Sequence, residues 1–210
     1  DPNPDPNPAA PGEVVYRAEI PTELADLLQR LDSVASGQSV TEAITAGAAS
    51  QAKSFDSHKG FSIDDLGRGN LVGARQHAEH TINIAVGEGS PNFGDWDGNG
   101  NAQNPGDGFG LMRYLQAWQA MARAEAGSPL VSPERKASLT AFADQVGAAI
   151  DQVQNGVSLA TRLASSDTAD EMAPLAQQWA AITLQGTVAQ LADQAAQLSV
   201  SVWLDIYRIG

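Results

Sequence analysis

From Pro21 onward, apolar residues recur at three- and four-residue intervals, the spacing that lines one face of a helix. Leu24, Leu27, Leu28 and Leu31 mark a first helix that opens at Pro21-Thr22-Glu23. Ser39-Val40-Thr41-Glu42 has the form of a capping box and opens a second, Ala-rich helix to about Lys53. A third is predicted from Ser62-Ile63-Asp64-Asp65 to Val86, with Gly67 and Gly69 weakening its first turns. Phe109 to about Ala126 places Leu111, Tyr114, Leu115, Trp118 and Met121 on one side of a helix. Ser132-Pro133 starts a long helix to about Ser165, because proline suits a first turn whose N–H has no helical partner. Leu139, Phe142, Val146, Ile150, Val153 and Val157 are among its apolar positions. A last helical tract runs from Ala169 to Tyr207, bent or broken at Gly186.

The start of the chain has a different pattern. Residues 1–12 are rich in Pro, Asn, Asp and Ala, with Asp-Pro-Asn-Pro twice, and are expected to be extended and polyproline-like. Glu13 to Ile20 has β-type residues and reads as one extended segment. The organisation that follows is an N-terminal arm over residues 1–20 and a helical domain over 21–210. The expected fold is all-α: an antiparallel four-helix bundle with two additional shorter N-terminal helices at its side or end. A long loop, residues 88–108, joins two of the bundle helices.

That loop carries the clearest chemical pattern. From Asp95 to Asp107 it reads Asp-Trp-Asp-Gly-Asn-Gly-Asn-Ala-Gln-Asn-Pro-Gly-Asp. Oxygen side chains stand at alternate positions Asp95, Asp97 and Asn99, a glycine follows at Gly100, and Gln103 adds another oxygen. A hard cation takes six or more oxygens, and a flexible polar loop gains order when they converge on one. The pattern resembles the calcium-binding loops of EF-hand and dockerin-type modules over these thirteen residues. The resemblance implies Asp95, Asp97 and Asn99 as side-chain ligands, Asn101 as a carbonyl donor and Gln103 as a direct or water-mediated ligand. Where such a loop has its closing carboxylate, this chain has Gly106 after Pro105, and Asp107 follows one residue late as the candidate closing ligand. An irregular closure implies weak affinity, roughly 10⁻⁴ to 10⁻³ M. The alternative is a Gly/Asn/Asp/Pro turn with no ion, since these residues favour turns for backbone reasons.

Charge agrees with a cation ligand. The 210 residues carry a net charge of −13, which argues against nucleic acid as a partner and against anionic membranes. The chain has no cysteine, so disulfides, thiolate zinc sites and iron–sulfur clusters are excluded. No apolar run approaches the roughly 20 residues of a membrane span. The Asp1 start is what signal-peptide removal would leave, and a trimmed chain would look the same. With a calcium loop suited to millimolar calcium, the expectation is a secreted, extracellular or periplasmic protein. The arm is a candidate for self-association or for contact with a protein partner.

The histidines give a second candidate. His58, His77 and His80 are the only ones, and all lie within 23 residues. On a helix Leu71, Ala74, Ala78, Ile82 and Ala85 form one apolar stripe, while His77 and His80 share another face and Glu79 lies on the opposite side of the stripe. Two imidazoles one turn apart suit zinc or another transition metal, with His58 or a carboxylate as a further ligand. The alternative is a structural pair hydrogen-bonded near a bundle end. Zinc-protease spacing, paired Glu-x-x-His motifs, a nucleophile elbow and a Walker loop are all missing. Asp64-Asp65, Asp167 and Asp170-Glu171 read as charges at helix N-termini. Trp118, Trp179 and Trp203 read as core, and Trp96 as a side chain folded back from the loop. Together these patterns predict an exported, calcium-stabilised helical protein with a structural or binding role, such as a subunit of a cell-surface or extracellular assembly. The alternative is a transition-metal-binding protein or metalloenzyme built on His77 and His80.

Overall fold

The structure is a computed structural model that describes residues 40–129 and 131–208, with side chains placed for 44–129 and 131–198. The arm, the segment 13–20, the helix expected at Pro21, the cap at Ser39 and the side chain of Trp203 lie outside these residues. The described residues are all-helical, without a strand. In chain order the helices are α1 (Val40–Gly67), α2 (Leu71–Val86), α3 (Leu111–Ala126), α4 (Pro133–Ala164), α5 (Ala169–Ala180) and α6 (Leu184–Arg208). No described helix is long and apolar enough to cross a membrane.

The first two helices differ from expectation. The helix predicted to stop near Lys53 continues through His58 and Gly60 to Gly67. Phe55 is fully buried and Lys59 nearly so, and that burial outweighs the roughly 1 kcal/mol that a mid-helix glycine costs. The break falls at residues 68–70 instead of before Ser62. Gly69 takes φ +76°, the left-handed turn that ends a helix, and the Asn70 side chain accepts from the Gly73 N–H to start the next. Ser62 Oγ donates to the Ala74 carbonyl at 2.7 Å and ties the two arms of this hairpin. Asp64 and Asp65 therefore sit in the last turn of α1, where the dipole disfavours them, and not at an N-terminus.

Far from being a short flanking element, α1 packs against α2, α3, α5 and α6, and α4 packs against α2, α3, α5 and α6. The larger core lies among α1, α3, α4 and α6, around Phe55, Leu111, Trp118 and Val146. A smaller one joins Ala78 and Ile82 of α2 to Leu163 of α4 and to Met172 and Trp179 of α5. Ser132 caps α4 at Arg135 N with Pro133 in the first turn, as the sequence predicts. Thr168 and Glu171 close a capping box on α5.

The last tract breaks before Gly186, at residues 181–183. Asp56 Oδ2 of α1 accepts from the N–H groups of Leu184 and Gln185 at 2.9 and 2.8 Å, and Lys59 Nζ donates to the Ile182 carbonyl. A carboxylate from another helix thus caps α6, and Gly186 lies inside it.

The 88–108 loop leaves and rejoins the body at a narrow neck. Gly87 and Gly110 have φ +76° and +100°, and a Cβ on Gly110 would lie 2.6 Å from Gly87 N. Glu88 N–H donates to the Gly108 carbonyl at 2.8 Å. Both positions require glycine, for conformation and for close approach.

Candidate metal centre

Packing α1 antiparallel against α2 carries His58 onto the face that already holds His77 and His80. Nδ1 of His58 lies 3.1 Å from Nδ1 of His77 and 3.3 Å from Nδ1 of His80. Ligand atoms of the three rings all fall within 4.8 Å of one another. Two ligands about 2.0–2.1 Å from a tetrahedral zinc lie about 3.3–3.4 Å apart, so the spacing is that of ligands around one ion.

The outer ring nitrogens of His80 and His77 face oxygen groups. Gln103 Oε1 lies 2.8 Å from His80 Nε2, and an amide oxygen can only accept, so His80 carries its proton there and turns a lone pair inward from Nδ1. His77 Nε2 faces Asp65 Oδ2 at 3.8 Å. Gly73 makes this possible, because a Cβ there would collide with the Asp65 carboxylate. Metal-bound histidines are commonly oriented in this way, with the far nitrogen on a carboxylate or an amide oxygen.

Electrostatics disfavour the charged forms of His58 and His77. Burial, with help from His80 and His77, lowers His58 to about 4. Burial and His80 also lower His77, against the pull of Asp65. Neutral imidazole is the form that binds metal.

The oxygen loop sits next to this cluster and is built differently. Asp95 accepts from the N–H groups of Asn99 and Gly100 at 3.1 and 2.8 Å. Asp97 Oδ1 accepts from Asn99 N–H at 2.9 Å, and Asn99 Oδ1 from Asn101 N–H at 2.9 Å. The expected ligands Asp95 and Asp97 are brought together, and Glu79 of α2 joins them within 4.8 Å. Asp107 is directed elsewhere: it accepts from Phe109 N–H at 2.9 Å and from Tyr114 Oη of α3 at 2.8 Å. The Gln103 side chain points to His80 and not into the loop. Trp96 is folded back on the smaller core, with Nε1 donating to Asn92 O at 3.1 Å.

The sequence reading missed Glu79 and Asn83, which hold the loop. Glu79 is fully buried and accepts from Trp96, Asp97 and Gln103 N–H groups at 2.9, 3.2 and 2.8 Å. Desolvation raises its carboxyl above the usual range even though these three donors pull it down. Asn83, also fully buried, donates to the carbonyls of Gly94 and Gln103 at 2.9 Å each and accepts from Gly94 N–H at 3.1 Å. The signal in the sequence is that Glu79 and Asn83 lie one helical turn apart, so one face of α2 presents both. Gln103 links both centres, with its backbone on Glu79 and Asn83 and its side chain on His80. Comparison of the chain with protein-family models, with curated proteins and with solved structures finds no match.

Proposed function

We propose that this protein binds a transition-metal ion through His58, His77 and His80. The observation that carries this reading is the convergence of three Nδ1 atoms, with contacts of 3.1 and 3.3 Å, on a face where Gln103 already holds the outer nitrogen of His80. Imidazole ligands suit zinc, copper, iron and nickel. The test is elemental analysis of protein purified without chelators, followed by zinc titration of stripped protein. The expected result is one ion per chain, lost when His77 and His80 are both replaced by Ala. Stripped protein that takes up no zinc, copper, nickel or iron would refute it.

A second reading is an exported, calcium-stabilised helical bundle with a structural or binding role, in which the loop between α2 and α3 fixes their angle. The approach of Asp95 and Asp97 to Glu79 supports it. Its test is calcium titration of the same stripped protein, with Asp95→Ala and Asp97→Ala as controls. The two readings are compatible on one chain.

A further inference from the structure

We infer that an ion held by the three histidines keeps one coordination position open, and that a small monoanion takes this position in place of water. The inference rests on the proposed metal site. Three imidazoles fill three of the four vertices of a tetrahedral ion, and a site with three protein ligands leaves the fourth to solvent or to an exogenous ligand.

The surroundings supply no obvious fourth donor. Among the described residues the cluster contains His58, His77 and His80 and no fourth histidine or carboxylate, and the chain has no cysteine. The two nearby oxygen groups stand behind the rings. Asp65 faces Nε2 of His77, and Gln103 Oε1 faces Nε2 of His80. Both orient the ligands from the far side, opposite the point where the Nδ1 atoms meet.

The site also has a route to solvent. His58 and His77 are only partly buried, whereas His80 is nearly enclosed. Phe61 is 50% exposed, and its ring centroid lies 5.5 Å from His58 and 5.3 Å from His77. An exposed aromatic ring beside two part-exposed ligands forms an apolar wall at the rim. Three imidazole ligands bring no charge of their own to a divalent ion, which favours an anion over a neutral ligand at the open vertex.

Cobalt(II) reports its own coordination through visible absorption, and azide serves as the probe anion. The full chain is loaded with one equivalent of cobalt and titrated with azide. The expected result is a saturable change in the cobalt spectrum at one azide per ion, with no release of cobalt on gel filtration. Cobalt bound at one per chain with a spectrum indifferent to azide would overturn this inference and leave the metal site standing. Failure to bind cobalt, with the protein folded by circular dichroism, would remove both. His58→Gln is the control: if this variant keeps the same spectrum and azide response, the ion sits elsewhere and the inference falls.

Discussion

The histidine cluster and the oxygen loop lie side by side on α2, yet they meet their polar requirements in opposite ways. The loop's carboxylates are engaged by backbone: Asp95 and Asp97 accept from N–H groups of the loop itself, and Glu79 accepts three more. The histidines engage one another, with Nδ1–Nδ1 approaches of 3.1 and 3.3 Å. That spacing is the one that ligands take around a single ion, whereas the carboxylates already have N–H partners. Of the two regions, the histidine face has the geometry closer to a metal site, although the loop has the more recognisable sequence.

The largest effect should come from the loop's anchor. Glu79→Ala would leave three N–H groups without their acceptor, each costing about 1–3 kcal/mol when buried. A loss of at least ~3 kcal/mol in urea unfolding is expected. A loss below ~1 kcal/mol would mean that the loop is not held from α2, and the contrast between the two regions would fail.

Zinc should come next. Ligand at 100 times its dissociation constant stabilises by about 2.7 kcal/mol, which corresponds to a rise of roughly 5–11 °C in Tm for a chain of this size. The rise should vanish in the His77→Ala, His80→Ala double variant. A calcium shift as large as the zinc shift would reverse the ranking of the two regions.

Gln103→Leu tests the link between them. It removes the acceptor on His80 Nε2 while keeping the backbone bonds to Glu79 and Asn83. Zinc affinity should fall about 10- to 100-fold, as for other groups that orient a ligand from behind. Binding by isothermal calorimetry that is unchanged would show His80 to be oriented by its packing alone.

The smallest effect is on acid stability of the metal-free protein. His58 is lowered from 6.5 to about 4 and His77 is lowered in the same direction. Between those values the unfolded chain binds more protons, so stability should fall as pH drops from about 6.5 toward 4. His58→Gln should flatten this slope. An unchanged slope in denaturant melts would place the acid sensitivity elsewhere.

Much of this molecule was legible in its residues. Ser132-Pro133 opens α4 where the capping chemistry says it should, and the apolar stripe of α2 meets the smaller core. The neighbourhood of His77 and His80 follows from helical spacing alone, and that of Asp95 and Asp97 from their separation by one residue in the loop. These are local facts, set by backbone geometry over three or four residues. Others depended on partners remote in sequence. Asp56 of α1 decides where the last helical tract breaks, and burial of Phe55 carries α1 through the segment where a break was expected. Asp107 serves α3 and not the loop, because Tyr114 and the α3 N-terminus lie within reach of its carboxylate.

The sequence by itself determined an acidic, cysteine-free chain, helical through its described residues, with an oxygen-rich loop and a histidine pair on one helical face. Only the tertiary structure decided that His58 completes that pair, that Glu79 and Asn83 anchor the loop, and that Gln103 joins the two centres. The reason is reach: periodicity places side chains on a face, but which face of another helix they meet depends on how two cores share α1 and α4.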